Sequence, residues 1–165
     1  MICLSAIIFS ACARRPSEPE TKLQIGLAAP AFKLPDLSGQ EVTLDQYKGK
    51  VVMLDFWATW CGPCRMTMPI LESMEKEFAN NLILLAVNVQ ESKDDVRDFV
   101  RAQNVHSRVL LDEEGSVGET YGTESIPMQV LIDKRGIIRH IQIGFGPRTA
   151  SELRSQIQKL IQQAS

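Results

Sequence analysis

The 165-residue sequence predicts an α/β fold, in which one mixed β-sheet carries helices on both faces and an additional β-hairpin on its N-terminal side. Two near-continuous apolar runs, Val51 to Trp57 and Leu82 to Val89, are typical of buried strands. Apolar residues at helical spacing follow each of these runs. Gln129 to Asp133 and Ile137 to Ile143 flank the turn Lys134-Arg135-Gly136, so these two strands should pair antiparallel.

The composition is that of one globular domain. Apolar residues make up 44% of the chain and charged residues 23%, which is ordinary for a domain with its own core. The formal net charge is −2, and the sequence has no basic stripe with interleaved aromatic residues. We therefore expect no nucleic-acid partner.

The N-terminal segment differs in character from the rest of the chain. Ile2 to Ala13 is apolar and uncharged, and it is shorter than the roughly 20 residues of a membrane-spanning helix, so an export signal fits it better. Phe9-Ser10-Ala11-Cys12 resembles the lipobox of bacterial lipoproteins, which makes Cys12 a candidate lipidation site. Phe9 stands where an aliphatic residue is usual, and no Lys or Arg precedes the apolar run. A non-lipidated export signal and an irregular terminus are the alternatives.

These features divide the chain into three parts. Residues 1–12 form the signal or lipoprotein-type segment, residues 13–22 a polar, proline-containing tether, and residues 23–165 the folded domain. The domain should open with a β-hairpin, in which Phe32 to Leu37 and Glu41 to Leu44 flank a turn.

A helix is predicted from Arg65 to Phe78, because apolar residues recur on one face: Met66, Ile70, Leu71, Met74 and Phe78. Pro69 lies within this pattern, and it should kink one helix rather than separate two. Thioether side chains fill irregular spaces in cores, so we interpret the methionines Met66, Met68 and Met74 as core or groove-lining residues rather than as metal ligands.

The C-terminal half should contain three more helical segments and a short strand. Ser92 should cap the first of these helices, whose buried edge comprises Val96, Phe99 and Val100. Val109 to Leu111 is a short strand, and Ser116 to Tyr121 a single helical turn. Thr149-Ala150-Ser151-Glu152 has the spacing of a capping box and should open the last helix.

The chemistry lies in Trp60-Cys61-Gly62-Pro63-Cys64, between a buried strand and a helix. Free N–H groups and the helix dipole at a helix N-terminus favour the thiolate form of Cys61. Cys64 follows one turn later, close enough to form a disulfide with it. Pro63 is at a helix-opening position, where its missing N–H has no consequence. This arrangement predicts a redox site.

A family resemblance extends in order over about Leu27 to Leu160. Residues 51–64 look like the active-site strand and loop of the thioredoxin superfamily. Further segments resemble its exported TlpA/ResA-like branch, with an AhpC/TSA redoxin-type domain: Ala29 to Phe32, Asp36 to Gly39, Met68-Pro69, Tyr121 to Pro127 and Val130 to Gly136. The resemblance implies a thioredoxin-like fold and thiol–disulfide oxidoreductase activity.

The resemblance also implies roles for single residues. Cys61 would attack the substrate disulfide, and Cys64 would resolve the mixed disulfide. Asp55 matches a buried acid of thioredoxins and is the candidate acceptor of the Cys64 proton, with its pKa raised by burial. Ile126-Pro127 would be a cis peptide that offers backbone groups to the substrate, and Gly144 would line the substrate groove.

Other aromatic, methionine and histidine residues near these segments receive simpler interpretations. Trp60 should be a partly exposed residue at the rim of the site, whereas Trp57 should pack in the core. Met128 stands where the family usually has Thr, which should change the polarity of the groove. His106 and His140 have no metal-motif spacing, and we expect both at the surface.

The leading hypothesis is a membrane-tethered, extracytoplasmic enzyme that reduces disulfides of other proteins. The resemblance implies a membrane thiol–disulfide transporter as electron donor, and we expect a monomer with no metal and no cofactor besides the Cys61–Cys64 disulfide. Clients could include those of cytochrome c maturation, although Gly62-Pro63 lacks the acidic residue of some such members. The Gly-Pro pair resembles the thioredoxin end of the potential scale, which favours a reductant.

Two other hypotheses stay open. A peroxiredoxin would need Pro-x-x-x-Thr-x-x-Cys, whereas Thr59 is two residues before Cys61 and no Pro stands upstream of it at the spacing of this motif. A structural zinc module would need four ligands, and one Cys-x-x-Cys supplies two.

Overall fold

The computed structural model describes residues 23–163, so the predicted signal segment, the tether and Cys12 lie outside it. Within that range the strands are β1 (Lys33–Pro35), β2 (Glu41–Thr43), β3 (Val51–Trp57), β4 (Leu82–Val89), β5 (Arg108–Asp112), β6 (Met128–Ile132) and β7 (Ile138–Ile143). The helices are α1 (Gly62–Glu77), α2 (Lys93–Gln103), α3 (Ser116–Thr120) and α4 (Thr149–Gln162), and a 3-10 turn spans Leu44–Tyr47.

The main sheet is mixed, as predicted, with strand order β5-β4-β3-β6-β7. The strands β3, β4 and β5 are parallel, while β6 pairs antiparallel with both β3 and β7. The central strand β3 is buried along its whole length. The α/β class and the position of the redox motif directly after the central strand are confirmed.

Helices cover both faces of the sheet. Side chains of β3 with odd numbers face α1, α2 and α4, and those with even numbers face α3 and the hairpin. The first face packs against Leu71, Val96 and Leu153, among other residues. The second packs against Phe32, Leu34, Val42 and Val117. Within residues 23–163, no helix is both long and apolar enough to cross a membrane.

The N-terminal hairpin is confirmed, and Asp36 holds its turn. Its Oδ1 atom accepts hydrogen bonds from Ser38 N and Gln40 N, and its Oδ2 atom accepts from both Nε and Nη2 of Arg108 on β5. Burial alone would raise the pKa of Asp36, but the hydrogen bonds from Ser38, Arg108 and Gln40 outweigh it and lower the pKa to about 2. The carboxylate thus ties the hairpin to the edge of the main sheet.

Helix α1 continues through Pro69, in agreement with the prediction of one helix. The predicted apolar face is partly wrong, because Met66 is 70% exposed whereas Cys64, Met68 and Leu71 are buried. Residues 64, 68 and 71 follow one helical face, and residue 66 lies about 200° around the axis from residue 64. The burial of Cys64 therefore sets the rotation of the helix.

The caps of the later helices differ from each other. Ser92 caps α2 as predicted, its side chain accepting a hydrogen bond from Asp95 N. The predicted capping box of α4 is wrong: Arg148 is the N-cap residue and makes no side-chain cap, and Thr149 is already helical. The buried Thr149 hydroxyl instead accepts a hydrogen bond from Gly146 N in the preceding loop.

Candidate active site

The redox pair forms a disulfide at the N-terminus of α1. The Sγ atoms of Cys61 and Cys64 are 2.04 Å apart. Cys61 is the N-cap residue, and its Sγ atom accepts a hydrogen bond from Cys64 N at 3.2 Å. Cys61 is 4% exposed, whereas Cys64 is completely buried. An incoming thiol or disulfide therefore reaches Cys61 before Cys64.

A buried acid lies on the sheet face that α1 covers. Asp55 is 1% exposed and points to the same face as Trp57, which packs with both cysteines. Its Oδ1 atom accepts a hydrogen bond from Gln129 Nε2 at 2.7 Å. Burial raises the pKa of Asp55 to about 7, and the Gln129 hydrogen bond opposes that rise. Asp55 can therefore gain or lose a proton near neutral pH.

The Ile126–Pro127 peptide bond is cis, as the resemblance implies. Ile126 packs against the cluster that contains both cysteines. Gly144, at φ +70°, donates its N–H to the Pro127 carbonyl at 2.8 Å, so the end of β7 fixes this loop. Gly144 thus lies beside the cis peptide, at a conformation that favours glycine.

The rim around the disulfide is apolar and exposed. Trp60 is 71% exposed, and Ile143, directly before Gly144, is 61% exposed. Gly62 and Pro63 are also exposed at the first turn of α1. The predicted exposure of Trp60 and the predicted burial of Trp57 are both confirmed. Large exposed apolar side chains around a reactive group are typical of an interaction surface.

Two sequence interpretations are corrected by the burial of the side chains. Met128 is 2% exposed and packs in the core on the opposite sheet face, so it does not alter the groove. His106 is exposed as expected, but His140 is half-buried, and its Nε2 atom has no hydrogen-bond partner within residues 23–163. His140 is drawn inward because it lies in the middle of β7, paired with Leu131.

Glu91 is a residue of the site that the sequence analysis missed. Its Oε2 atom accepts hydrogen bonds from Thr59 N and Asn88 Nδ2, each at 2.7 Å. Its Oε1 atom accepts a hydrogen bond from the Thr59 hydroxyl at 2.5 Å. The signal was available, since Glu91 follows β4 as the redox loop follows β3, and the C-terminal ends of adjacent parallel strands meet at one edge.

Gln129 was also missed, although it is a polar residue within an apolar strand.

The cysteines have no additional metal-ligating neighbours: residues 23–163 contain no group of three or more His, Cys, Asp or Glu side chains placed to hold a metal ion.

Comparison with known proteins decides the family. Residues 25–141 match the AhpC/TSA family. The chain belongs to this family. It is 39% identical over 131 residues to the thioredoxin-like protein YneN of Bacillus subtilis, covering 78% of this chain and 76% of YneN. It is 34% identical over 143 residues to the thiol-disulfide oxidoreductase ResA of Bacillus thuringiensis subsp. konkukian, covering 86% of this chain and 81% of ResA.

Solved structures agree with the fold. A putative thiol:disulfide interchange protein DsbE from Chlorobium tepidum has a TM-score of 0.80 and 34% identity, over 85% of this chain and 99% of that one. The exposed lipoprotein thioredoxin Etrx1 of Streptococcus pneumoniae has a TM-score of 0.71 and 30% identity, over 79% of this chain and 100% of that one. The chain is thus a thiol–disulfide oxidoreductase with a thioredoxin-like fold, and Cys61–Cys64 is its redox-active pair.

Proposed function

We propose that this oxidoreductase works outside the cytoplasm, tethered to the membrane through Cys12, and reduces disulfides of other proteins. The observation that carries the proposal is the Cys61–Cys64 disulfide at the start of α1, with Cys61 as the more exposed sulfur, an exposed apolar rim and a nearby cis peptide. Together these features suit a protein segment that is laid across the site.

The position of the disulfide supports a macromolecular substrate. Cavities of about 330, 390 and 300 Å³ in residues 23–163 are lined by other residues, none of them Cys61, Cys64 or Pro127. Small-molecule enzymes usually place their reactive group in such a cavity. A disulfide on an exposed apolar surface instead favours a protein substrate, which contacts the enzyme over a large surface area. In this proposal the contact surface consists of Trp60, Gly62, Pro63, Ile126, Pro127 and Gly144.

The proposed reaction starts from the dithiol form. The Cys61 thiolate attacks a substrate disulfide and forms a mixed disulfide, releasing the first substrate thiolate. Cys64 then loses its proton to Asp55 and attacks the Cys61 sulfur. The Cys61–Cys64 bond forms, the bond to the substrate breaks, and the second substrate thiolate leaves. The substrate gains two electrons, which a membrane thiol–disulfide transporter would later restore to the enzyme.

The test is disulfide reduction by the full chain acting on insulin. Cys61→Ser should abolish reduction, and Cys64→Ser should accumulate a mixed disulfide on Cys61 because the resolving thiol is missing. Cys12→Ser is the matched control and should reduce insulin at the rate of the unaltered chain. Reduction by Cys61→Ser at that rate would refute the proposal.

The direction of electron transfer and the proposed membrane tether need separate measurements. Equilibration with glutathione should give a potential near the roughly −270 mV of thioredoxin; a value near −120 mV would identify an oxidant. In cells, Cys12→Ser should move the protein from the membrane fraction to the soluble fraction, whereas Cys3→Ser should not. The similarity to an exposed lipoprotein thioredoxin supports this expectation.

The peroxidase alternative predicts rapid hydrogen peroxide consumption that depends on Cys61. The Thr59 hydroxyl donates its hydrogen bond to Glu91, so this proton already has a partner within the loop. We therefore expect peroxide consumption no faster than that of a free dithiol. Fast turnover of peroxide without insulin reduction would favour the alternative.

A further inference from the structure

Gln129 is a fully buried amide in the middle of the apolar strand β6. Burying an amide is unfavourable unless its polar atoms are hydrogen-bonded. Its Nε2 atom has such a partner, Asp55 Oδ1 at 2.7 Å. Its Oε1 atom is buried and has no partner within residues 23–163. The amide is thus half satisfied in the state that the structure shows.

The sheet register places Gln129 directly against Asp55. The two residues are cross-strand partners in the antiparallel pair of β3 and β6. On the other side of β3, the partner of Asp55 is Ala86 of β4, whose side chain cannot form a hydrogen bond. Within residues 23–163, the hydrogen bond from Gln129 is therefore the side-chain contact that orients the Asp55 carboxyl group.

The chemistry of the pair changes when Asp55 is protonated. An ionised carboxylate only accepts hydrogen bonds, whereas a protonated carboxyl group also donates one. The glutamine amide carries a donor and an acceptor of nearly equal size on one carbon atom. A half-turn of this amide exchanges Nε2 for Oε1 with little change of shape.

We propose that Gln129 is a positioning residue that follows the protonation of Asp55: it donates from Nε2 to the carboxylate, and its amide turns over when Asp55 binds a proton, so that Oε1 accepts the Asp55 O–H. The inference rests on the proposed function, in which that proton comes from the Cys64 thiol. The turnover gives the unpartnered Oε1 atom a donor, so both forms of Asp55 are hydrogen-bonded.

Charged neighbours do not provide an alternative partner. Helices α2 and α4 present apolar side chains to this face of the sheet, as in Val96 and Leu153. Besides Cys64, the titratable groups of α1, α2 and α4 that are not exposed are Glu72, Glu75, Lys93, Arg97 and Arg154, and His140 of β7 lies on the same sheet face. Arg97 pairs with Asp94, and Arg154 pairs with Glu77. Glu72 accepts hydrogen bonds from the backbone N–H groups of residues 106 and 107, and Glu75 accepts one from Leu84 N. Both carboxylates therefore have hydrogen-bond partners other than Asp55 and Gln129.

The first test is the titration of Asp55 in the oxidised full chain, followed by the carboxyl ¹³C signal in NMR spectra. The midpoint should be about 7. Gln129→Met removes the donor at similar volume, so the pKa of Asp55 should rise by at least about one, which lowers its ionised fraction at neutral pH at least about fivefold. Gln129→Leu should do the same. Gln142→Met is the matched control, since Gln142 is the β7 partner of Gln129 and does not contact Asp55, and it should keep the midpoint.

The second test needs no substitution. In the unaltered chain, nuclear Overhauser contacts between the Gln129 NεH₂ and Asp55 Hβ protons should be strong at about pH 9 and lost at about pH 5, with the Asp55 midpoint. Contacts that persist below the midpoint would overturn the turnover of the amide. An unchanged Asp55 midpoint in Gln129→Met would overturn the whole inference.

These readouts separate the inference from the proposed function, because titration of the oxidised protein requires no turnover. In insulin reduction, the rate ratio of unaltered chain to Gln129→Met should be at least about fivefold at pH 7 and approach one at about pH 9. A ratio that does not change with pH would overturn the inference and leave the function intact. Retained reduction by Cys61→Ser would instead remove the function, whatever the titration shows.

Discussion

Glu91 accepts two hydrogen bonds from Thr59, one from its backbone N–H at 2.7 Å and one from its hydroxyl at 2.5 Å. The same carboxylate accepts the side-chain amide of the completely buried Asn88. Thr59 is two residues before Cys61, so one carboxylate from the end of β4 fixes the loop that presents Trp60 and Cys61. Both oxygens of Glu91 are used, which an amide at this position could not reproduce.

Glu91→Gln should therefore destabilise the protein and loosen the loop. The substituted side chain has one acceptor oxygen, and its NH₂ group faces a donor of Thr59 or Asn88, so the free energy of unfolding should fall by about 1–3 kcal/mol. Urea unfolding measures this loss, and hydrogen exchange of the Thr59 N–H should accelerate. Glu113→Gln, at an exposed position, is the control. Equal unfolding free energies for the two variants would contradict the role of Glu91.

Asp55 should make the oxidised protein more stable at mildly acidic pH than at pH 8. Because burial raises its pKa from 3.8 to about 7, the native state holds a proton that the unfolded chain releases between these values. The free energy of unfolding should therefore fall as the pH rises from about 4 to about 7, by up to about 4 kcal/mol, and then level off.

Asp55→Asn should remove this pH dependence and raise stability at pH 8, since the neutral amide has no charge to desolvate. Asp45→Asn, with a side chain 78% exposed, should retain the slope of the unaltered chain. Urea unfolding at several pH values tests both. A slope of equal size in Asp55→Asn would show that another group titrates there.

Asp36 should act in the opposite direction, because its pKa is lowered from 3.8 to about 2. Its stabilisation is complete above the unfolded value and is lost as the pH falls through about 2. Asp36→Asn keeps an acceptor for Ser38 and Gln40 but turns an NH₂ group toward Arg108. The free energy of unfolding should fall by about 2 kcal/mol at pH 7, and the difference should vanish near pH 2.

The control for Asp36 lies in the same hairpin. Glu41 pairs with Lys33 at 2.6 Å, but both side chains are more than 60% exposed. Exposed ion pairs contribute little, so Glu41→Gln should change the unfolding free energy by less than about 1 kcal/mol. If both substitutions had the same effect, the partly buried contact of Asp36 with Arg108 would not be what stabilises the hairpin.

The sequence predicts β3 and β4 to the residue, because strands buried on both faces are continuous apolar runs. It also predicts the redox pair, since strand, cysteines and helix are contiguous in the chain. Gln129 could not be assigned in this way, because its partner is 74 residues away and only strand pairing brings the two together. The position of Glu91 after β4 indicates that it lies near the redox loop, but its bonds to Thr59, 32 residues away, become visible only in the structure. Met66 was misplaced for a related reason: the contact of Cys64 with the sheet, rather than the average pattern, sets the rotation of α1.

The exposed rim gives the last prediction. Trp60 is 71% exposed, so it contributes little to the core, yet it stands next to Cys61. Tryptophan is enriched among interface residues that contribute 2 kcal/mol or more to binding. Trp60→Ala should therefore leave urea unfolding nearly unchanged and raise KM for insulin by about tenfold or more. Ile143→Ala should act in the same direction with a smaller effect.

Ile25→Ala is the matched control, because Ile25 is 61% exposed but adjoins the opposite end of β7, where Gly26 N binds the Ile138 carbonyl. Its KM should equal that of the unaltered chain. The rate of the Cys61 thiolate with a small disulfide such as cystine should be the same in all three variants, since a small substrate covers little of the rim. A Trp60→Ala variant with slower cystine reduction and unchanged KM for insulin would place Trp60 in the chemistry of Cys61 rather than in substrate binding.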